Sequence, residues 1–192
     1  MSLEYAIEKY PITARLKNGD TCVVRPLKPE DQKSVLAFYE RIPPQERGLL
    51  NHPKSDDSLF HEWTESLDME RDLPLLALLG NRVIGEGVLH QRSGWKSHIG
   101  LVSILIDPEY REQDLSSILC GELVHVARHF GLARLEAEFN GDRETALKSF
   151  AMEGFEELAR VPRYVHDTEA NFHDYVLMGM ELLTREEYAS QG

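Results

Sequence analysis

A chain of 192 residues, 42% of them hydrophobic, is long enough and apolar enough to fold as one globular domain, which we place over residues 1–192. The net charge of −12 argues against a nucleic-acid partner and suits a cationic acceptor, although a solvated acidic surface explains it more simply. No stretch has membrane-spanning length, no leader pattern opens the chain, and the two cysteines lack metal or redox spacing. We expect a cytoplasmic protein with reduced cysteines and no membrane partner.

The first third of the chain predicts a hairpin and two helices. Apolar and polar residues alternate over residues 10–26 around Asn18-Gly19, a pair typical of a two-residue type I′ turn. Pro29 suits the first turn of a helix, and Pro43-Pro44 ends that helix. A second helix is predicted after the capping pair Asp57-Ser58.

A second hairpin and a strand–helix unit follow. Residues 75–79 and 82–90 read as two strands joined at Gly80-Asn81. Residues 99–107 form a β-branched apolar run, and the helical period that follows ends at Gly131. A strand that leads directly into a helix aims backbone N–H groups at one point, where a phosphate can bind.

The last third predicts strand 133–139, helix 142–152 and a closing hairpin of residues 155–165 and 172–182, with Pro162 near an edge or bend. The order is therefore β-β-α-α-β-β-β-α-β-α-β-β. It indicates an α+β fold with a mainly antiparallel sheet. One parallel crossover is expected, where the strands on either side of the long helix are neighbours.

Three stretches resemble the GNAT superfamily of acyl-CoA-dependent N-acetyltransferases, over about residues 20–182. Arg25-Pro26-Leu27-Lys28-Pro29-Glu30-Asp31 is similar to the exit of the family's first strand. Residues 105–116 fall on its pyrophosphate loop, and Ala146 through Phe150 to Glu153-Gly154-Phe155 on its late helix. The resemblance implies a GNAT-like fold with helices on both faces of a mixed sheet, and acetyl-CoA or a related acyl-CoA as cosubstrate. Within the superfamily, domains that acetylate protein lysines are the most similar.

The family's loop pattern is Q/R-x-x-G-x-G/A, whose glycines let backbone N–H groups approach the pyrophosphate. Arg111 fits the first position, but Asp114 and Ser116 replace the glycines. The Ser116 hydroxyl can donate to phosphate. Asp114 either places a carboxylate beside the anion, at a cost on the order of 1–4 kcal/mol, or caps the helix itself. Glu112 adds further negative charge. The loop therefore binds acyl-CoA weakly, binds it with a shifted pyrophosphate, or has lost it.

The resemblance also assigns the residues that would hold the cosubstrate. The strand before the loop would supply backbone hydrogen bonds, unless it is an ordinary core strand. Arg143 stands where the family has asparagine, and it either meets a phosphate or is a surface arginine. The expected acyl-CoA-binding residues are Ile104, Leu105, Ile106, Arg111, Glu112, Gln113, Asp114, Leu115, Ser116 and Arg143.

Acetyl transfer to an amine needs a base, because an alkylammonium has a pKa of about 10.4. Glu138 is the candidate, since it lies on the strand that faces the helix ending at Gly131 and matches an acidic position of the lysine-acetylating members; the alternative is a solvated strand carboxylate. Glu136 points the same way by period two, and His98 and Glu86 are weaker candidates. The tyrosine that often protonates the leaving thiolate is Phe150 here.

Two hypotheses follow. The first is an N-acyltransferase in which an amine, on a small molecule or a protein lysine, attacks the thioester directly, with Glu138 as base. The second is a GNAT fold that has lost this chemistry and binds a small molecule or protein, as the replacements at Asp114, Ser116 and Phe150 suggest. No metal is expected, because the pair His125 and His129 lacks a third ligand nearby in sequence. A homodimer through the apolar late hairpin stays open.

Overall fold

A computed structural model describes residues 7–43, 46, 71–167 and 170–182. These residues form one eight-stranded sheet in the order β1-β2-β3-β4-β5-β6-β8-β7, with helices on both faces. All neighbouring strands are antiparallel except β5 and β6, which confirms the predicted α+β class and its single parallel crossover. The elements are β1 (Ile12–Arg15), β2 (Thr21–Pro26), α1 (Gln32–Arg41), β3 (Asp72–Leu79), β4 (Arg82–Gln91), β5 (Ile99–Ile106), α2 (Leu115–His129), β6 (Arg134–Asn140), α3 (Glu144–Met152), β7 (Glu156–His166) and β8 (Phe172–Glu181).

The first hairpin is confirmed, but its turn is not the two-residue type I′ turn that was predicted. Residues 16–20 form the loop, and among these five only Gly19 has a positive φ, at 94°. A type I′ turn needs positive φ at both central residues. The Gly19 N–H donates to the Leu16 carbonyl at 3.0 Å, which makes a longer turn that ends in a left-handed glycine. Asn18 keeps a negative φ, and its Oδ1 accepts the Asp20 N–H at 3.0 Å.

Asp31 fixes the exit from β2. Pro29 opens a short 3-10 turn rather than α1 itself, which begins at Gln32. The Asp31 carboxylate is buried and accepts two hydrogen bonds of 2.6 Å from the Arg25 guanidinium and one of 2.8 Å from the Lys28 N–H. Burial raises the pKa of Asp31, but the hydrogen bonds and charges of Arg25 and Lys28 together outweigh it, so the pKa lies below its usual range. This ion pair joins the end of β2 to the residue that precedes α1.

The two faces of the sheet carry separate cores. On one face, α1 packs Val35 and Phe38 against residues of β3, β4 and β5. On the other face, α2 packs closely onto β4, where a Cβ at Gly85 would lie 3.1 Å from the side chain of Leu115 and 3.1 Å from that of Leu119. The helix predicted after Asp57-Ser58 lies outside the described residues.

The second half of the fold follows its predicted order. Gly131, at φ 69°, comes two residues after the end of α2, as a C-terminal glycine cap requires. β7 is the outer edge of the sheet, and its register shifts around Pro162, which lacks the N–H that a ladder needs. Cys22 and Cys120 are buried and free. No helix in the described ranges is long and apolar enough to cross a membrane.

Candidate active site

A cleft opens where the two parallel strands separate. β5 and β6 pair only from Ile99 with Arg134 to Leu101 with Glu136. Beyond that point β5 stays paired with β4 and β6 with β8, and no register pair among the described residues joins β5 to β6. The second half of β5 therefore presents one edge of its backbone to the cleft. The predicted residues Ile104, Leu105 and Ile106 lie in this half.

The side chains of this half-strand divide between the two cores. Ile104 and Ile106 pack with the α2 core, and Leu105 lies in the α1 core. They anchor the strand while its backbone edge remains turned to the cleft. Backbone N–H and C=O groups have the same chemistry whatever the side chain, so this element can bind a ligand without a sequence signature.

Two residues of the loop after β5 have positive φ angles although neither is glycine. Asp107 accepts the Glu109 N–H at 3.1 Å and starts a 3-10 turn, and α2 begins four residues after Arg111, at Leu115. Glu112 has φ 63° and Asp114 has φ 61°, both in the left-handed region that favours glycine. Asp114 thus holds, without being glycine, a backbone conformation that glycine adopts at low cost.

The Asp114 side chain does not cap α2, so the capping alternative is wrong. It makes no capping hydrogen bond, because the left-handed backbone turns the side chain away from the helix. Its Oδ1 lies 2.5 Å from Lys17 Nζ, in the β1–β2 loop, and this cation offsets the carboxylate charge. The same loop holds Gln113, whose Oε1 accepts the Asn18 N–H at 2.9 Å. Sequence reasoning missed Lys17, which carries no motif.

Asp107 anchors the start of this loop. Its side chain is 2% exposed, and its Oδ2 accepts from Arg41 Nε of α1 at 2.7 Å and from Arg82 Nη2 of β4 at 3.0 Å. Burial raises the pKa of Asp107, but the hydrogen bonds from Arg41, from a backbone N–H and from Arg82 outweigh it and lower the pKa. Sequence reasoning missed this anchor, and the Asp-Pro pair at the strand end was its only signal.

Arg111 and Arg143, the two arginines predicted to bind phosphate, both form ion pairs with Glu46. Arg111 Nη2 lies 2.8 Å from Glu46 Oε1, and Arg143 Nη2 lies 2.8 Å from Glu46 Oε2. Arg143 is only 26% exposed, so it is not a plain surface arginine. Burial lowers the pKa of its guanidinium, and the Glu46 charge opposes this shift. Glu46 was not among the predicted site residues.

Glu138 and Glu136 share a sheet face, but their side chains do not face α2. Leu135, Ala137 and Phe139 alternate with them and pack in the α2 core, so both carboxylates lie on the α1 side. Glu138 Oε1 lies 2.5 Å from Arg92 Nη2, and Glu136 Oε2 lies 3.4 Å from Arg92 Nε. The two candidate bases therefore share one cation.

Tyr175 supplies a hydroxyl beside Glu138. Burial, followed by the charge and hydrogen bond of Glu138, raises the pKa of Tyr175 to about 12. A phenol with this pKa stays protonated at neutral pH and can donate a hydrogen bond. The sequence offered no signal for Tyr175, because it lies on β8, far along the chain from β6.

Glu86 and His98, the two weaker candidate bases, lie at different ends of β5. Glu86, on β4, pairs in register with Leu105, and it is buried beneath α1, where Tyr39 Oη donates to its two oxygens at 2.8 and 2.9 Å. His98 precedes β5 at its paired end, where its carbonyl accepts the Ala133 N–H at 2.9 Å. Glu86 is therefore level with the open half of β5, whereas His98 is not.

Phe150 belongs to the core. It is buried between Phe139 and Phe155, with ring centroids 4.9 and 5.0 Å away in edge-to-face contact. It supplies packing where the family often has a tyrosine hydroxyl. In the part of the chain that the structure describes, no three His, Cys, Asp or Glu side chains are grouped to hold a metal.

The chain matches one protein family in sequence and solved structures of acetyltransferases in fold. The model of the Acetyltransferase (GNAT) family matches residues 34–155, more than half of the chain. The fold is similar to the GNAT domain of S. lividans PAT, with a TM-score of 0.76 and 18% identity over 91% of this chain and 98% of that one. It is also similar to yncA from Salmonella typhimurium, solved with its cofactor acetyl-CoA, with a TM-score of 0.75 and 17% identity over 86% of this chain and 96% of that one.

A third similar structure is a ribosomal-protein-alanine N-acetyltransferase from Brucella melitensis, with a TM-score of 0.71 and 19% identity over 83% of this chain and 99% of that one. In sequence, no curated protein matches the chain. At these identities the structural likenesses establish the fold.

Proposed function

The chain belongs to the GNAT family of acetyltransferases, enzymes that move an acyl group from acetyl-CoA to an amine, and we propose that this member acylates a small amine or a protein lysine with Glu138 as the base. Acyl-CoA supplies the activated thioester. The chain itself has to bind the phosphates, orient the acyl group and accept a proton from the amine. The described residues offer a group for each of these tasks.

The observation that carries the proposal is the open half of β5 leading to the uncapped start of α2. The residues present fit acyl-CoA: a backbone edge faces the cleft, and the Asp114 side chain leaves the first N–H groups of α2 to a ligand. Lys17 offsets the Asp114 charge, so the electrostatic cost expected from this replacement is reduced. Ser116, in the first turn of α2, offers a hydroxyl to the same anion.

Glu138 would accept the ammonium proton. Its ion pair with Arg92 holds the carboxylate in place, and Tyr175 adds a hydrogen bond. An approaching alkylammonium competes with Arg92 for this carboxylate, so the ion pair must loosen when the acceptor binds. Glu136 is the second choice, because it is more deeply buried on the same face.

A cationic acceptor agrees with the charge of the protein. The net charge of −12 attracts amines over distances of about 8 Å at physiological salt. One neighbour in fold acts on a ribosomal protein, as its name states, and a protein lysine is the acceptor that the sequence resemblance favours. The chain is proposed to act in the cytoplasm. A homodimer through β7 and β8 remains a hypothesis.

A non-catalytic binding module is the second candidate. It is favoured by Phe150, which is buried in an aromatic cluster and has no hydroxyl, and by the Arg92 ion pair on Glu138. Such a protein would bind a ligand in the same cleft without transferring an acyl group. Binding and turnover therefore have to be measured separately.

Binding is tested by titration calorimetry of acetyl-CoA into the native protein and into Asp114→Gly. We expect micromolar binding by both, with affinities within about tenfold, since Asp114 already has the glycine backbone and Lys17 offsets its charge. If neither protein binds, acyl-CoA is not its ligand. If only Asp114→Gly binds, the carboxylate closes the site and the module becomes the better description.

Turnover is tested with Glu138→Gln and Glu136→Gln, by mass spectrometry of a lysine peptide and a set of small amines. We expect Glu138→Gln to lower kcat about 10²- to 10⁴-fold without weakening acetyl-CoA binding, as loss of a general base does. The Glu136→Gln variant is the matched control on the same strand, with a smaller expected loss. Equal activity of Glu138→Gln and native protein would exclude Glu138 as the base.

A further inference from the structure

The two-arginine cluster at the cleft joins elements from both of its sides. Arg111 lies in the loop that follows β5, and Arg143 lies between β6 and α3. β5 and β6 diverge before they reach these residues, so the arginines lie on opposite sides of the open end. The Glu46 carboxylate, which comes from the segment after α1, gives one oxygen to each guanidinium.

The two arginines that hold the Glu46 carboxylate can also bind an anion larger than a carboxylate. A guanidinium binds carboxylate and phosphate oxygens with the same N–H···O geometry. Two guanidinium groups that converge from separate elements repel one another unless an anion lies between them. The shift in the Arg143 pKa reflects this balance: burial and the Arg111 charge lower the pKa, and the Glu46 charge raises it.

We infer that Glu46 is an internal anion in a two-arginine site for a phosphate of acyl-CoA, and that the cosubstrate has to displace it to bind. The inference rests on the proposed function. The pyrophosphate of acyl-CoA, taken as a unit, carries more negative charge and more acceptor oxygens than one carboxylate, so it can replace Glu46 on both arginines. The native glutamate would then lower the affinity for acyl-CoA and hold the arginines in place until the cosubstrate arrives.

A purely structural role of Glu46 predicts a different effect of its removal on ligand affinity. If Glu46 only fastens its own segment to the loop, its removal destabilises the fold and leaves ligand affinity unchanged or lowers it. If it competes with a phosphate, its removal raises the affinity for phosphate-bearing ligands alone. Ligand affinity therefore separates the two roles, whatever the change in stability.

The test compares Glu46→Gln with native protein by titration calorimetry, using acetyl-CoA, S-acetyl-pantetheine and inorganic pyrophosphate. We expect Glu46→Gln to bind acetyl-CoA and pyrophosphate about 5- to 30-fold more tightly, the gain from removing one competing ion pair. S-acetyl-pantetheine has no phosphate, and its affinity should not change. Adding Arg143→Gln to Glu46→Gln should abolish the gain.

Glu144→Gln is the matched control. It removes the same charge one residue from Arg143, but its carboxylate is 77% exposed and pairs with Lys148. We expect less than a twofold change in affinity for this variant. Should Glu46→Gln fail to fold, as judged by circular dichroism, Glu46→Asp replaces it, because the shorter side chain cannot span both arginines and should give part of the gain.

Unchanged or weaker binding of acetyl-CoA and pyrophosphate by Glu46→Gln would overturn the inference, as would an equal gain for S-acetyl-pantetheine. If none of the proteins binds acetyl-CoA, the proposed function fails. The pyrophosphate titration then decides the anion site alone: tighter binding supports the competition by Glu46, and unchanged binding overturns it.

Discussion

Asp114 shows how a residue can keep the backbone of a motif while changing its side chain. Aspartate is among the few residues that enter the left-handed region readily, so it can hold the φ of 61° that the loop requires. Its charge then has to be offset, and Lys17 from the β1–β2 loop does this at 2.5 Å. A departure from the glycine pattern therefore need not destroy the backbone conformation of the loop.

Asp107 is the residue on which the geometry of this loop depends most. It is buried, and it connects β5 with arginines from α1 and β4. Replacing the carboxylate with a neutral amide would leave both guanidinium groups without their common negative charge. The loop that leads to α2 would then lose its fixed starting point.

We predict that Asp107→Asn lowers the free energy of unfolding by about 1–3 kcal/mol at pH 7, the cost of losing charge-assisted hydrogen bonds. The folded-state pKa is lowered, so this stability is present above pH 4 and is lost as the pH falls through the folded-state value. Urea unfolding at pH 7 and pH 3 measures both effects.

The control for this prediction is Glu109→Gln. Glu109 Oε2 lies 2.6 Å from the same Arg82, but its side chain is 65% exposed, so an effect within about 0.5 kcal/mol is expected. Equal losses for the two variants, or a loss for Asp107→Asn that is undiminished at pH 3, would contradict the role of Asp107 as a charged anchor.

At the scale of elements, His173 fastens the last hairpin to the loop before α3. Its Nδ1 lies 2.6 Å from Asp142 Oδ2, and its Nε2 lies 3.2 Å from Asp167 Oδ2. Both ring nitrogens can donate only when the imidazole is protonated. The hydrogen bonds with Asp167 and then Asp142 outweigh desolvation and raise the pKa of His173.

We predict that His173→Gln lowers the melting temperature at pH 5.5 and has little effect at pH 9. The folded-state pKa is raised, so the stabilisation is complete below the usual pKa of about 6.5 and is lost as the pH rises through the folded-state value. Thermal unfolding followed by circular dichroism at the two pH values tests this.

His166→Gln, in the same hairpin, serves as the control, because the ring Nδ1 of His166 contacts the Asp167 carbonyl rather than a carboxylate. We expect the two histidine variants to differ at pH 5.5 and to agree at pH 9. A loss for His173→Gln of the same size at both pH values would show that its ring acts through packing alone.

At the scale of the whole molecule, the cleft results from the early end of one strand pairing. β5 and β6 share three register pairs and then separate, while β5 stays paired with β4 and β6 with β8 along their other edges. The helices α1 and α2 cover opposite faces of the strands that remain paired. The free backbone edge of β5 is thus created by a gap in the sheet between two packed cores.

Much of this architecture was predictable from the sequence. Apolar periodicity identified the described strands and helices, because burial imposes a period of two on strands and 3.6 on helices. Gly131 marked the end of α2, and the loop at residues 105–116 carried the resemblance to the family. The β1–β2 turn was predicted wrongly, since the sequence Asn18-Gly19 does not reveal which of two turn geometries the flanking strands select.

The sequence by itself determined the fold class, the order of the described elements and the family, because these depend on residues that are close together in the chain. The tertiary structure alone decided how the site is charged: Lys17 on Asp114, Arg92 on Glu138, and Glu46 between Arg111 and Arg143. Each of these contacts joins separate elements. Electrostatic partners at such distances along the chain leave no periodic or local signal, and only folding brings them within a few ångströms.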